Sequence, residues 1–523
     1  MIPLLADHLA RCLRDPGNAP RWHQLAALCA GADQATRGEL LGELATPEAR
    51  AATSAPNAEL LRLTFIAGLG GEADDLEEAA RQVLGQEPID ADCMAGWMSY
   101  GALAALQNGS DRATFGHALS AARIPEMTAR LAERLLRQPE ERPLPRRIPQ
   151  AIARVALILP YVGNAMHTPS VLALDHARVC MRLGWSVHAF SCQEMAPPDI
   201  PLHRGDGGNV VLAPLDPQHW ANTLPGGMAL SVSDARLSMD ARWREMRQRI
   251  AEFDPDLVFL AGLYSPLAAA LHPLRPTLGL NVHSMPPIAP MDVWLTADAR
   301  LHKQRIRPFG GQFATVEAHH HPYRLLVDTQ PAPLSGQELG LPANAQVAIT
   351  VGFRLPHEIQ GEFAARMIRL LRDRPTLHWM LLGGDGRLPA ALASAPGPQV
   401  HGLAARRDVT RVLKAADLFL NPPRMGGGFS VAEAMACALP ALSLAGSDGG
   451  DKLGDEASQD IDGYFARLNS LLDDAKARAA LGEKLRARYV ELYDLNSAGP
   501  SLRQAALRAM ALFEQRVTAT PPA

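Results

Sequence analysis

The spacing of apolar positions changes character along this chain. From residue 1 to about 140, Ala, Leu, Arg and Glu recur at the 3.6-residue spacing of amphipathic helices. From Arg154 onward, short β-type apolar runs take over: Val155–Leu159, Val187–Phe190, Val210–Ala213, Leu257–Ala261, Leu278–Val282 and Val293–Thr296. Helical stretches such as Val171–Leu183 and Arg242–Phe253 lie between them. A second series begins at Val347–Val351 and continues through Trp379–Leu382, Val400–Leu403, Leu418–Leu420 and Pro440–Leu444, with helices at Glu362–Arg372 and Val409–Ala416. Strands alternating with helices imply parallel sheets covered on both faces. The fold class is therefore α/β, two tandem Rossmann-like domains preceded by an all-helical one. Such sheets carry their ligand loops at the carboxyl ends of the strands, so the cleft between the two domains is the expected site.

The chain divides into residues 1–147 (helical), 148–333 (first Rossmann-like domain), 334–500 (second) and 501–523 (a closing helix). Gln138–Pro149, rich in Pro and Arg, is the linker. Tyr464–Leu472 and Ala475–Tyr489 read as helices that close the second domain. In the first zone, Asp15-Pro16 precedes Trp22 and Leu25, Gln86–Pro88 precedes Trp97, and Ala113–Ala122 is a helix of small residues. Paired helices packed by an aromatic and small residues resemble degenerate tetratricopeptide hairpins. No strict 34-residue period is present, and an irregular helical bundle accounts for the pattern equally well.

Bulk properties narrow the classes. A chain of 523 residues exceeds one core, and 47% hydrophobic with 20% charged residues is ordinary for a globular protein. A net charge of −4 argues against general nucleic-acid binding, which needs a basic surface. Six scattered cysteines without a C-x-x-C pair fit unpaired thiols in a reducing compartment. No apolar run reaches the ~18 residues of a membrane span. Met1–Leu13 lacks the pattern of a secretory signal. The expectation is a cytoplasmic protein with no membrane span, peripheral association being left open.

The chemistry concentrates after Leu418–Leu420. Asn421-Pro422-Pro423 stops the strand, and Gly426-Gly427-Gly428 let backbone approach a ligand. Ser430 then opens a helical stretch that carries Glu433, and free N–H groups at such a helix start suit a diphosphate. Glycines also end the Trp379–Leu382 strand, as Gly383-Gly384-Asp385-Gly386. This succession resembles the nucleotide-binding half of GT-B-fold glycosyltransferases, whose large retaining family places an EAMA-x-x-x-P segment after a glycine-rich loop. The likeness covers residues 345–500 well and 154–330 loosely. It implies that Glu433 accepts hydrogen bonds from ribose hydroxyls, that Gly383, Gly384 and Gly426–Gly428 with Ser430 cradle the donor, and that the last helix returns across the first sheet. Arg354 follows a strand where similar enzymes set an Arg and a Lys against the diphosphate, to stabilise charge on the leaving nucleotide. The Lys has no counterpart: Glu358 and Gln360 stand in its place. A second glutamate, usual in retaining members eight residues before the first, is replaced by Met425.

The first domain offers its own candidates. Gly163 and Asn164 follow the Val155–Leu159 strand, and His167-Thr168-Pro169 is similar to a His-Pro turn of the O-GlcNAc-transferase-like branch. There His167 would serve as a general base or as a donor to the diphosphate. His283 and Asp292 lie on segments that line the acceptor side in relatives, the run PMDVWLTAD being similar to a strand of that branch. His319-His320-His321 invite a metal site, but adjacent residues cannot all face one ion, and a solvated loop is expected.

The resemblance thus implies a glycosyltransferase of hexosyltransferase type. It would move a sugar from a nucleoside diphosphate, UDP foremost, to a protein or saccharide acceptor. The nucleotide sugar is a co-substrate; no cofactor and no metal are expected. A catalytically inactive binding or scaffold protein is the alternative, supported by Met425 and the missing Lys. A nucleotide-sugar epimerase explains neither the helical extension nor the EAMA segment.

Overall fold

A computed structural model describes residues 3–519 apart from 31, 71–72, 86–87, 109–110, 140–141, 164–166, 197–223, 284, 298, 310–315 and 323–324. The strand expected at Val210–Ala213 lies outside the described residues. Nine helices among the described residues occupy the N-terminal zone, from α1 (Pro3–Arg14) to α9 (Ile124–Arg137). They pack as neighbours around aromatic anchors. Trp22 is fully buried and meets Phe65 edge-on at 5.2 Å, and Trp97 donates its indole N–H to Ala122 O at 3.0 Å. Small residues allow close approach: an added Cβ on Gly101 would lie 2.8 Å from Cβ of Ala122.

The first sheet has seven parallel strands in the order β3-β2-β1-β4-β5-β6-β7. They are β1 (Arg154–Ile158), β2 (Ser186–Ser191), β3 (Ala229–Val232), β4 (Leu257–Ala261), β5 (Thr277–Leu280), β6 (Val293–Thr296) and β7 (Glu317–His320). The second has five parallel strands in the order β10-β9-β8-β11-β12. Its members are β8 (Gln346–Val351), β9 (Leu377–Leu382), β10 (Val400–Leu403), β11 (Leu418–Leu420) and β12 (Ala441–Leu442). Central strands such as β4, β9 and β11 are buried throughout, as sheets covered on both faces require.

Two strands went beyond the sequence expectation. Ala229–Val232 and Glu317–His320 are the edge strands of the first sheet, so the histidine run begins as strand rather than loop. His321, just beyond it, is fully buried, with Nε2 3.2 Å from Nε2 of His176 and Nδ1 2.8 Å from Ser501 Oγ.

The C-terminal helix, Ala498–Ala519, lies against the first sheet. Arg508 grips Glu317 at 2.7 Å, and Arg516 reaches Asp292 at 3.1 Å. One apolar cluster runs from the helical zone into the first sheet, joining Trp97, Phe115 and Leu131 to Ile158, Val258 and Trp294. Met425, from the second unit, is also part of it. Helices α1 and α2 (Ala19–Ala30) instead feed a smaller cluster around Trp22.

Candidate active site

The cleft forms because β8 and β9 end in residues without bulky side chains. Gly383 has φ 148°, and a Cβ there would fall 1.9 Å from Gly352 O, so only glycine lets these two loops meet. Gly384 follows at φ 54°. On the other side of the sheet's midline, Gly427 (φ 88°) caps a helix spanning Gly428–Ala436. That helix begins two residues before Ser430, which stands in its first turn. A Cβ on Gly427 would collide with Asn421 Oδ1 at 2.1 Å. Gly426 faces Arg354, whose guanidinium would lie 3.4 Å from an added Cβ.

Between these loops lies a cavity of about 440 Å³. Its floor is Val351, Gly352, Phe353, Leu382 and Gly383; one wall is Phe429, Ser430 and Glu433; another is Ala405, Arg406, Arg407 and Val409. Thr168, Val171, Leu174 and Arg178 close it from the first Rossmann-like unit, on helix α10 (Thr168–Arg182). The cavity therefore sits between the two units, at the carboxyl ends of the second sheet.

Glu433 is half-buried at the cavity wall and has no hydrogen-bond or cationic partner among the described residues. Burial pushes its carboxyl up to about 7. A carboxylate kept without a protein donor in a ligand-sized cavity is available to donors from a ligand.

Arg354 is not free for an anion in this state. Its guanidinium bonds Glu358 at 2.9 and 3.1 Å, and Arg424 takes the other oxygen of Glu358 at 2.7 Å. Burial works to raise the Glu358 carboxyl, but the two arginines outweigh it and hold it below its ordinary value. Arg424 is itself buried, donating to Asn421 Oδ1 at 2.7 Å and Val351 O at 2.8 Å, so it braces the glycine loop from beneath. Met425 is buried at 1% exposure, as its apolar side chain favours, and points into the first unit's core rather than toward a sugar.

The remaining candidates separate into two groups. His167 precedes α10, half-buried, with Nδ1 2.7 Å from Ser170 Oγ and its ring edge-on to Tyr161 at 5.0 Å. Burial holds its pKa down to about 4, leaving it uncharged at neutral pH, a hydrogen-bonding group rather than a cation for a diphosphate. Gly163 packs against both residues, where an added Cβ would come 2.8 Å from the Tyr161 ring and 2.9 Å from His167 Cβ. Asn164 lies outside the described residues. His283, after β5, points to the second unit, its Nδ1 3.1 Å from Asp448 Oδ2.

Asp292 does not join them. It immediately precedes β6, at the amino end of the sheet opposite the cleft, where it accepts from Thr277 N at 2.8 Å and from Arg516. Its carboxylate ties the closing helix to the sheet, and the acceptor-side expectation for it is corrected accordingly.

Sequence reading missed Phe353, which is 55% exposed at the cavity floor, and the pair Arg406-Arg407. Arg406 is held by Asp408 at 2.5 Å, and exposed Arg407 has no carboxylate partner among the described residues. Tandem arginines three residues past a strand's carboxyl end were the available signal.

Two facing parallel-sheet units with a cleft between them, a closing helix that crosses back, and a helical N-terminal zone define a GT-B fold with a helical extension. Residues 345–474, all within the second unit, match the family model described as glycosyl transferases group 1. Among solved structures the chain is similar to an O-GlcNAc transferase mutant from Thermobaculum terrenum, at 14% identity and a TM-score of 0.55, covering 98% of this chain and 94% of that one. It is also similar to WaaG, a glycosyltransferase involved in lipopolysaccharide biosynthesis, at 16% identity and a TM-score of 0.38, over 67% of this chain and 98% of that one. No curated protein matches the sequence. Among the described residues, no helix is long and apolar enough to cross a membrane.

Proposed function

We propose that this protein transfers a sugar from a nucleoside diphosphate sugar, UDP foremost, to an acceptor hydroxyl or amide. The observation that carries the reading is Glu433, a partnerless carboxylate on the wall of an interdomain cavity, one turn beyond a glycine-capped helix start. In this reading, Glu433 receives the two ribose hydroxyls and the N–H groups of Gly428–Ser430 meet the diphosphate. Phe353 offers an aromatic face to the base, and Arg407 supplies positive charge to the leaving phosphates. Arg178, reaching over from the first unit, would close the site from above, excluding water and favouring transfer over hydrolysis. A helical extension on this fold is consistent with a protein acceptor, and a saccharide acceptor fits the same cleft.

Thermal unfolding with UDP-, GDP- and dTDP-sugars tests the reading, because a ligand at 100 times its Kd stabilises the folded state by about 2.7 kcal/mol. UDP compounds should raise Tm, and Glu433→Ala should remove most of the effect. No shift with any nucleotide would overturn it.

A second reading, a nucleotide-sugar-binding scaffold without turnover, is favoured by two observations: Met425 is packed into an apolar core, and Glu358 already occupies Arg354. Release of UDP from a bound donor separates the two readings, since a scaffold would release none.

A further inference from the structure

Beside the glycine loop, one carboxylate answers two arginines that are not equally bound. Glu358 ends the short helix Leu355–Glu358, and Arg354 stands just before it. Oε1 of Glu358 accepts from Arg354 Nε at 3.1 Å and Nη2 at 2.9 Å, and Oε2 accepts from Arg424 Nη1 at 2.7 Å. The Arg424 side chain is 5% exposed and also donates to Asn421 Oδ1 and Val351 O, so it is fixed from three directions. The Arg354 side chain is 26% exposed, and Glu358 is its guanidinium's only partner among the described residues.

That inequality makes an exchange possible. Breaking a buried ion pair is costly chiefly because it strands an unpaired charge. When Arg354 turns away, Glu358 keeps Arg424, and no buried charge is stranded. When Arg354 meets another anion, one charge-assisted pair replaces another. Arg354 is therefore the movable member, and Glu358 is its resident counter-ion.

Position decides which anion is in reach. Arg354 follows Phe353 on the cavity floor, and its Nη2 would lie 3.4 Å from a Cβ on Gly426. Gly426 precedes by two residues the helix whose Phe429, Ser430 and Glu433 form the cavity wall. With a ribose at Glu433, the way toward Gly426 runs back along that helix, past Ser430 and Gly428. At about 1.5 Å per residue, Glu433 stands roughly 7 Å beyond Gly428 along the axis. The phosphate next to the ribose then meets the helix start, and the second phosphate, one link further on, comes to Arg354.

We propose that Glu358 is a specificity-determining residue, an internal competitor that yields Arg354 to a nucleoside diphosphate and not to a monophosphate; this rests on the sugar-nucleotide reading above. Binding moves Arg354 Nε and Nη2 from Glu358 Oε1 to oxygens of the second phosphate, while Glu358 stays on Arg424. No covalent bond changes. The competitor lowers the apparent affinity for the diphosphate by the fraction of molecules in which Arg354 is free. A ligand that stops at the first phosphate leaves the Arg354–Glu358 pair as it stands.

The test is calorimetric titration of the full chain with uridine, UMP and UDP. In Glu358→Gln, the amide oxygen still accepts from Arg424, while its NH2 group cannot accept from Arg354 and sets it loose. A part-exposed arginine–carboxylate pair withholds roughly fivefold in affinity, so UDP should bind about fivefold more tightly to Glu358→Gln, with uridine and UMP within about twofold of the parent protein. Arg354→Gln leaves the Glu358–Arg424 pair in place and should bring UDP down to the affinity of UMP. A purely structural Glu358 would shift all three ligands together. UDP bound no more tightly by Glu358→Gln, a gain shared equally by UMP, or a UDP advantage over UMP that survives Arg354→Gln would each overturn the proposal. If the parent protein binds none of the three, the sugar-nucleotide reading itself fails and takes the exchange with it; if it binds them and the ratios stay fixed, the exchange alone fails.

Discussion

Glu433 couples the cleft to pH. Its carboxyl holds a proton to about pH 7 in the fold, against an ordinary value of 4.5. Between those values the folded state binds more protons than the unfolded chain, so stability falls as pH rises. The contribution is fully present below pH 4.5 and lost through pH 7. Glu433→Gln should thus flatten the dependence of Tm on pH between 5 and 8 and unfold at a higher temperature than the parent protein at pH 8. Ribose hydroxyls stabilise the ionised form, so UDP should bind more tightly at pH 8 than at pH 6. Binding near pH 7 should release a proton, readable by calorimetry in buffers of different ionisation enthalpy. Gly383 gives a steric counterpart: Gly383→Ala cannot keep φ 148° and clear Gly352 O, so nucleotide binding should vanish and stability drop by roughly 2–3 kcal/mol in denaturant titration.

At the scale of elements, legibility followed the continuity of the apolar run. Leu257–Ala261, Val293–Thr296, Val400–Leu403 and Leu418–Leu420 match their apolar runs residue for residue. The first sheet's edge strands escaped because their own sequences lack an apolar run: Ala229–Val232 is interrupted by Ser231, and Glu317–His320 holds one apolar residue, Ala318, and no buried one. The glycine loop was readable as a loop, but its brace was not. Nothing in local spacing says that Arg424 turns inward beneath Gly427, or that Glu358, 66 residues earlier, answers it. Asp292 misled for the opposite reason: a motif-like run placed it beside a strand without saying which end of the strand faced the cleft. Removing one member of a buried ion pair costs about 3–5 kcal/mol. Arg424→Ala should lose stability on that order and loosen the glycine loop, seen as faster amide exchange over residues 424–430.

Across the whole molecule, the later helices of the N-terminal zone, from Leu60 onward, and the first sheet share one apolar cluster, so they should unfold together. A chain lacking residues 1–137 would bare the first unit's helices Met239–Phe253 and Pro266–Leu271, which pack against the helical zone, and should associate on gel filtration rather than remain dispersed. The second unit is tied in electrostatically. Asp451 accepts Arg112 from the helical zone and Arg305 from the first unit, the latter at 2.7 Å. Burial works to raise its carboxyl, yet the arginines outweigh burial and keep it low, so this tie persists until acid protonates it.

The turn bearing Asp451 also bears Asp448, which backs Gly428. Arg112 clasps that same turn through Gly446 O at 2.7 Å. Arg112 and the cavity thus lie on opposite sides of one short segment, with the start of the Gly428–Ala436 helix between them. By reciprocity of linked equilibria, a factor by which a guest on the helices tightens the nucleotide is the factor by which the nucleotide tightens that guest.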